Sequence, residues 1–158
     1  MNPPRALMLR PAHAREARAM AEMSRTLIEA GLAWRYTPRR VAALIADSDT
    51  IALVAHEGEQ LLGFAVMQFG DEQAHLVLLC VQPALRQRGI GRRLTQWLLE
   101  SARVAGIASV GLELRADNAG ARAFYERLGF TLMQEVPGYY DGSVSARRMR
   151  LQLRPPAP

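Results

Sequence analysis

A short apolar run followed by a basic loop with two glycines constrains this chain more than any other feature. Leu76–Val81 has the length and the aliphatic composition of a β-strand. Pro83 ends it, because proline has no backbone N–H to donate to a sheet. The loop Arg86–Gly91 then reads R-Q-R-G-I-G. Apolar residues at helical spacing follow, namely Leu94, Leu98, Ala102 and Ala105. The stretch therefore predicts a strand, a loop and a helix in that order.

The loop has the features of a binding site for a phosphate or pyrophosphate group. Gly89 and Gly91 let the backbone approach a ligand closely, and the first N–H groups of the following helix have no partner inside that helix. These N–H groups and the helix dipole attract an anion. Four arginines add positive charge around them, namely Arg86, Arg88, Arg92 and Arg93. The structural alternative is an ordinary basic turn between a strand and a helix.

Two common phosphate-binding motifs are excluded. The P-loop motif requires a lysine, and this chain contains none. The dinucleotide-binding motif G-x-G-x-x-G requires a third glycine at the position that Leu94 occupies. What remains is the pattern R-x-x-G-x-G between a strand and a helix.

A second and more specific motif lies about 30 residues further along the chain. It reads N-x-x-A-x-x-F-Y-x-x-L-G-F, from Asn118 to Phe130. The two motifs together resemble the two acetyl-CoA half-sites of the GCN5-related N-acetyltransferase (GNAT) superfamily, and the resemblance covers nearly the whole chain. It implies that Asn118 contacts the pantetheine arm and that Tyr125 points toward the thioester sulfur. The structural alternatives are a helix N-cap for Asn118 and a core aromatic residue for Tyr125.

The resemblance implies acetyl-CoA as the co-substrate. The end of the strand would hold the pantetheine and acetyl groups through its backbone, and the loop Gln87–Arg92 would hold the pyrophosphate. The residues predicted to bind the cofactor are Leu79, Cys80, Val81, Arg86, Gln87, Arg88, Gly89, Ile90, Gly91, Arg92, Asn118 and Tyr125. The three histidines of the chain, His13, His56 and His75, lack metal-ligand spacing, so no metal is predicted.

Acetyl transfer to an amine needs a polarised carbonyl, a neutral amine and a thiolate that can leave. A backbone N–H near 79–81 can donate to the carbonyl oxygen, and a tyrosine can donate a proton to the thiolate. Glu113 is the predicted base, because a carboxylate on a mostly apolar strand is unusual; its structural alternative is a residue that faces solvent or pairs with an arginine. His75 is the rival base, although a hydrogen-bonded core histidine is its favoured role. Cys80 is disfavoured as a nucleophile, because no histidine is placed to activate it.

Within the superfamily, the stretch from Leu112 is most similar to the ribosomal-protein-alanine N-acetyltransferase branch, which carries L-E-V-R-A-S-N-x-x-A-x-x-L-Y-x-x-L-G-F. This resemblance implies that Glu113 is the base and Tyr125 the acid. Tyr139 and Tyr140 match a tyrosine pair near the end of that branch. The surroundings of the pair differ, because this chain has V-P-G before it and G-S-V-S-A shortly after it, where the branch has an arginine and G-R-E-D-A. The cofactor and the chemistry are therefore implied, and the ribosomal acceptor is left open.

Four aromatic residues are predicted to bind the acceptor, namely Trp34, Tyr36, Tyr139 and Tyr140. Trp34 and Tyr36 lie in a loop between two helical patterns, where aromatic residues line a site as often as they cover the edge of a core. The acceptor is either a protein N-terminal α-amine or a small-molecule amine. A hypothesis of a different class is a non-catalytic acetyl-CoA-binding sensor or partner subunit.

The remaining elements predict an α/β chain with a mixed, mostly antiparallel central sheet of about seven strands and helices on both faces, as in GNAT proteins. The predicted strands span 6–10, 51–55, 61–69, 74–81, 108–115, 130–136 and 145–153. The predicted helices span 12–30, 38–46, a stretch that ends before Gly106, and 118–128. The strand 74–81 does not alternate, so it is expected to be central and buried on both faces. A loop with the sequence P-G-Y-Y-D-G follows the sixth strand.

Length and composition indicate one domain over residues 1–158, with 154–158 as a frayed tail. No apolar run approaches the ~20 residues of a membrane span, and Met1–Arg5 has no apolar signal core, so neither a span nor export is expected. A single cysteine fits a reducing compartment, so cytoplasmic localisation is expected. The net charge of +5 raises nucleic acid as a partner, but the arginines are spread along the chain, which disfavours it. A homodimer is one oligomeric state left open.

Overall fold

Seven strands form one sheet in the order β1-β2-β3-β4-β5-β7-β6 in the computed structural model, which describes residues 6–154. The strands are β1 (Leu7–Pro11), β2 (Thr50–Glu57), β3 (Gln60–Phe69), β4 (Gln73–Val81), β5 (Ser109–Arg115), β6 (Thr131–Tyr140) and β7 (Val144–Gln152). The helices are α1 (Ala17–Leu27), α2 (Pro38–Ala46), α3 (Ile90–Val104) and α4 (Ala119–Arg127). β4 and β5 are parallel, and the other five neighbouring pairs are antiparallel. The predicted mixed, mostly antiparallel sheet is confirmed.

Two apolar cores lie on opposite faces of this sheet. In one, Met20 of α1 and Val41 of α2 pack against Phe64 of β3. In the other, Leu94 and Leu98 of α3 pack with alternate residues of the sheet and with Phe130. Burial of these side chains is the main force that holds the helices on the two faces.

The start of α2 follows its local sequence, and the start of α1 does not. Thr37 caps α2 by accepting a hydrogen bond from the Arg40 N–H at 3.4 Å, and Pro38 is its first residue, as predicted. The helix predicted from residue 12 instead begins at Ala17, because Pro11 still belongs to β1 and the Ala12 N–H donates to the Ala52 carbonyl of β2. Hydrogen bonding within the sheet therefore includes Pro11 and Ala12, which the local pattern assigns to the start of the helix.

The prediction that β4 is central and buried on both faces is confirmed, since it contributes buried residues to both cores, although every second residue is only half-buried. Its residues alternate, with Ala74, Leu76, Leu78 and Cys80 buried and His75, Val77, Leu79 and Val81 half-buried. The half-burial arises because β4 pairs with β5 only up to His75. Beyond that residue, the edge of β4 that faces β5 is open. An irregularity in the pairing with β3 around Val77 also places Leu76 in one core and Leu78 in the other.

The sixth strand is longer than predicted. Residues 137–140, predicted as a loop, belong to β6, whose pairing with β7 is interrupted between Val136 and Tyr140. Gly138 has φ +64°, a value that suits glycine and produces a bulge, and the bulge accommodates Pro137, which has no N–H for the ladder. The predicted frayed tail lies outside the described residues except for Arg154, and so does Met1–Arg5. No helix within residues 6–154 is both long enough and apolar enough to cross a membrane.

Candidate active site

The centre of the sheet opens where β4 and β5 separate. Gln73–His75 pairs with Ser109–Gly111, and beyond that point β4 stays paired only with β3 and β5 only with β7. The Gln82 N–H donates to the Leu62 carbonyl of β3 at 2.9 Å. Successive N–H groups of a strand point to opposite sides, so the N–H groups of Leu79 and Val81 point away from β3 into the gap. These groups are available to a ligand that lies between the strands.

Cys80 differs from its two neighbours. Its N–H points toward β3 by the same alternation, and its side chain lies in the α1–α2 core with the Sγ atom 3.9 Å from the Met23 carbonyl oxygen. Burial raises the pKa of the Cys80 thiol to about 12, although the charge of Arg86 acts in the opposite direction. A thiol with such a pKa is protonated at neutral pH and is therefore a poor nucleophile.

The glycine loop lies at the N-terminus of α3, next to the open end of the gap. Gln87 has φ +72° and Gly89 has φ +78°, and α3 begins at Ile90. Positive φ values just before a helix are typical of anion-binding loops, in which backbone N–H groups face a common ligand. A Cβ atom added to Gly91 would lie 3.6 Å from Phe124 and 3.6 Å from Val81, so this residue packs closely against α4 and β4. The side chains of Arg86, Arg88 and Arg92 are exposed around the loop.

Two residues of the second motif lie on α4. Asn118 is exposed and caps the helix, because its Oδ1 atom accepts a hydrogen bond from the Ala121 N–H at 3.0 Å. The cap uses the carbonyl oxygen and leaves the two donors of the Asn118 side-chain amide for a ligand. The cap is thus the structural role that the sequence offered as an alternative, and it is compatible with a binding role.

Tyr125 is buried within the core on the α3–α4 face. Its ring makes edge-on contacts with Phe124 and Phe130, with centroids 5.1 and 5.5 Å away. The Tyr125 hydroxyl is not sealed inside the core. In the described part of the chain it has no hydrogen-bond partner, and His56 Nε2 is the one fully buried side-chain polar atom there that lacks a partner. Burial raises the pKa of Tyr125 well above its ordinary value, and the nearby Tyr140 adds to this shift. Tyr125 therefore stays protonated and can act as a proton donor.

Glu113 lies on the opposite face of the sheet, between two cationic or protonatable side chains. Its Oε2 atom is 2.7 Å from His75 Nε2, and its Oε1 atom accepts a hydrogen bond from Arg148 Nε at 3.2 Å. Burial alone would raise the pKa of Glu113, but the hydrogen bonds and charges of His75 and Arg148 outweigh it and lower the pKa below the ordinary value. Glu113 is thus ionised, and the predicted base and its rival lie in direct contact.

Three of the four predicted acceptor residues gather near Glu113. Burial raises the pKa of Tyr140 to about 12, and the proximity of Tyr139, Glu113 and Tyr36 adds to this shift while Arg115 opposes it. The rings of Tyr139 and Tyr140 are in edge-on contact, with centroids 4.9 Å apart. Trp34 instead covers the α1–α2 core, and its indole N–H donates to the Ala21 carbonyl at 3.2 Å.

Side chains that were not singled out from the sequence hold the two loops beside this cluster. Asp141, in the turn between β6 and β7, accepts hydrogen bonds from the Ala33 N–H at 2.9 Å and from Arg35 at 3.2 Å. Glu29 is buried and accepts hydrogen bonds from the Ser24 hydroxyl at 3.0 Å and from the Arg35 N–H at 2.8 Å. No local signal in the sequence indicates Glu29, because it follows the end of α1 and continues the exposed side of that helix, on which Glu22 and Arg25 lie.

No site for a metal ion is found in the described part of the chain, since no three His, Cys, Asp or Glu side chains cluster there.

Comparison with known proteins gives a direct family assignment. The model of the acetyltransferase (GNAT) family matches residues 17–130, which include both motifs and the gap between β4 and β5. The chain belongs to the acetyltransferase (GNAT) family. The resemblance stated from the sequence is confirmed.

Among curated GNAT relatives, the chain is 35% identical over 97 residues to the [ribosomal protein bS18]-alanine N-acetyltransferase of Escherichia coli K12. That match covers 60% of this chain and 66% of the relative. The chain is also 32% identical over 115 residues to the streptothricin acetyltransferase of Streptomyces lavendulae, covering 72% of this chain and 60% of the relative. The matches thus span slightly less than two thirds of these relatives.

Solved GNAT structures match over almost the whole chain. Ard1 from Thermoplasma volcanium superimposes with a TM-score of 0.83 and 25% identity, and covers 95% of this chain and 99% of its own. The ribosomal-protein-S18-alanine N-acetyltransferase of E. coli superimposes with a TM-score of 0.83 and 24% identity, and covers 96% of this chain and 97% of its own. These superpositions support the architecture described above as that of a GNAT domain.

Proposed function

We propose that the protein is an acetyl-CoA-dependent N-acetyltransferase that transfers the acetyl group to a primary α-amine by direct attack. Glu113 is the proposed base and Tyr125 the proposed acid. The acceptor is foremost a protein N-terminus, as in the bS18-alanine N-acetyltransferases to which the chain is similar. The acceptor identity rests on this similarity and on the chemistry argued below.

The observation that carries this proposal is the position of the two groups on either side of the gap in the sheet. Glu113 approaches from the α1–α2 face, and Tyr125 belongs to the core on the α3–α4 face. Tyr140 lies near both of them, since each influences or is influenced by its ionisation. A thioester in the gap would thus have an ionised carboxylate on the side of the amine and a protonated phenol on the side of the sulfur.

Proton transfer then follows a short sequence of steps. The amine loses a proton to Glu113, directly or through one water, and attacks the carbonyl carbon. The N–H group of Leu79, which faces the gap, donates to the carbonyl oxygen as it gains negative charge. The carbon–sulfur bond breaks, and Tyr125 donates its proton to the leaving thiolate. The products are an acetylated amine and CoA.

Acetyl-CoA would lie along the gap with its pyrophosphate on the glycine loop. The N–H group of Val81 would donate to a pantetheine amide carbonyl, and the side-chain amide of Asn118 would contact the same arm. The turned backbone at Gln87 and Gly89 and the first turn of α3 receive the pyrophosphate. The exposed arginines around the loop add long-range attraction for a polyanion.

An α-amine fits this site better than a lysine side chain does. The pKa of Glu113 is lowered, so the carboxylate is a weak base. An α-amine with a pKa near 8 is about one-tenth neutral at pH 7, whereas a lysine with a pKa near 10.4 is less than about 0.1% neutral. A weak base therefore suffices for the former and is a poor match for the latter.

A second candidate is the acetylation of a small-molecule amine. The similarity to a streptothricin acetyltransferase favours it, since that match covers more of this chain than the match to the bS18-alanine enzyme does. Both candidates share the cofactor site and differ only in what occupies the face with Glu113.

The first experiment is to measure CoA release from acetyl-CoA with short peptides that have free N-termini, with the same peptides blocked at the N-terminus, with small amines and without an acceptor. Turnover that needs the free N-terminus supports the proposed function. Turnover with small amines alone favours the second candidate. Tight acetyl-CoA binding without turnover on any acceptor would overturn both and favour a non-catalytic sensor.

A further inference from the structure

A polar groove runs over the sheet from Glu113 toward the C-terminal end of β7, on the part of the α1–α2 face that the two helices do not cover. Its volume is about 620 Å³, and we call it the arginine groove. The polar side chains that line it include Gln68, His75, Glu113, Gln134, Arg148 and Arg150. They come from five adjacent strands, so that rigid backbone fixes their relative positions.

The free charge of this groove is positive. Glu113 is the one carboxylate among its lining residues in the described part of the chain, and both of its oxygens are engaged by His75 and Arg148. Arg148 uses Nε for this bond and keeps its terminal amino groups for another acceptor. Arg150 is exposed, and no carboxylate lies within ion-pair distance of it among residues 6–154. A ligand in the groove thus meets the full positive charge of Arg150 and the part of the Arg148 charge that Glu113 does not neutralise.

The groove is continuous with the place where the amine must lie. The Arg148 guanidinium is 5.9 Å from the centre of the Tyr139 ring, and Arg148 is bonded to the proposed base. Arg150 follows two residues later on the same face of β7, which places it about 7 Å further along the groove. An acceptor whose amine is at Glu113 would bring its next one or two residues over these arginines.

We propose that the arginine groove selects acceptors that carry a carboxylate within one or two residues of the reactive α-amine. The inference rests on the proposed function, because it assumes that an α-amine lies at Glu113. The carboxylate belongs either to an acidic side chain near a protein N-terminus or to a small acidic amino acid. In both cases it receives charge-assisted hydrogen bonds from Arg150 and Arg148.

The experiment compares three peptides that start with alanine and continue with two aspartates, two glutamines or two arginines. We expect the highest kcat/KM for the acidic peptide, about fivefold above the neutral one, which is the size of one exposed ion pair. The basic peptide is expected to fall below the neutral one. The advantage of the acidic peptide should shrink as salt is raised, because salt screens exposed charges. Free glutamate and free glutamine form a second pair that tests the small-molecule source of the same carboxylate.

Two variants test whether the charge of the groove causes the preference: a charge reversal inside the groove and a matched control outside it. Arg150→Glu should remove the preference for the acidic peptide and favour the basic one. Arg147→Gln should leave the ranking unchanged, because Arg147 lies three residues before Arg150 on the same strand but pairs with Leu114 and Glu135, on the opposite face. An identical effect of both variants would overturn the inference.

The remaining outcomes separate this inference from the proposed function. Equal kcat/KM for the three peptides, or a preference for the basic one, would overturn the inference while the proposed function stands. Preference for glutamate over glutamine without turnover of any peptide would support the inference with the small-molecule source. Absence of turnover with every acceptor would refute the proposed function, and the inference would fall with it.

Discussion

His75 Nε2 lies 2.7 Å from Glu113 Oε2, and this contact joins β4 to β5 at the point where the two strands separate. The last backbone pair of the two strands is His75 with Gly111, and Glu113 follows two residues later on the same face. The sequence offered His75 and Glu113 as rival bases. The contact lets His75 hold the Glu113 carboxylate in place and favours its ionised form.

Replacement of His75 by alanine should therefore shift the pH dependence of the reaction. His75 and Arg148 together lower the pKa of Glu113 against the effect of burial, so the loss of His75 should raise that pKa. Since Glu113 must be ionised to accept a proton, the acidic limb of the kcat/KM profile should move to higher pH. The measurement is a pH–rate profile of both proteins with one acceptor. His13→Ala is the control, because His13 is exposed on a turn between β1 and α1, and an unmoved limb in His75→Ala would contradict the role of His75.

Replacement of Tyr125 by phenylalanine should reduce turnover without weakening cofactor binding. The phenylalanine ring keeps the packing against Phe124 and Phe130 and lacks only the hydroxyl. The loss of a general acid typically costs about 100-fold or more in rate, so kcat should fall by at least that factor while the Kd of acetyl-CoA stays unchanged. Steady-state kinetics and calorimetric titration measure the two quantities. Full activity in the variant would remove Tyr125 from the mechanism.

Local signals in the sequence determine much of the fold and of the proposed cofactor site. The cap at Thr37 with Pro38 and the cap at Asn118 use neighbouring residues only, so their positions follow from the chain itself. Glycine at residue 89 precedes α3 with a positive φ for the same reason. The predictions of these features hold because no contact with a distant part of the chain competes with the local interactions.

Features that depend on register between distant strands could not be obtained in this way. Arg148 reaches Glu113 only because β5 and β7 pair with these two residues opposite each other. The half-exposed residues of β4 depend on the early separation from β5, which no residue of β4 encodes alone. The arginine groove combines both effects, and for this reason no local pattern in the sequence predicts it.

The contact between Asp141 and Arg35 joins the turn after β6 to the loop between α1 and α2. The hydrogen bond from the Ala33 N–H lowers the pKa of Asp141, and Arg35 adds to this effect, so the tie is present at neutral pH and is lost when the pH falls through that lowered pKa. Replacement of Asp141 by alanine should raise the KM of the acceptor several-fold and leave the KM of acetyl-CoA unchanged, because both loops border the face with Tyr36 and Tyr140. Glu135→Ala removes an exposed ion pair with Arg147 elsewhere on the β6–β7 ribbon and is the control. An equal change of both KM values would show that the tie is not specific to the acceptor.

Gly89 and Gly106 flank α3 and offer a matched pair of substitutions. Gly89 has φ +78° and Gly106 has φ +80°, and a Cβ atom added to either would meet nothing within 4 Å. Alanine at each position should therefore lower the free energy of unfolding by a similar amount, about 1 kcal/mol, because the left-handed conformation strains any residue with a Cβ atom. Only Gly89 lies in the proposed pyrophosphate loop. Gly89→Ala should also raise the KM of acetyl-CoA several-fold, and Gly106→Ala should not. Thermal unfolding and steady-state kinetics on the two variants measure both effects, and an unchanged KM in Gly89→Ala would place the pyrophosphate elsewhere.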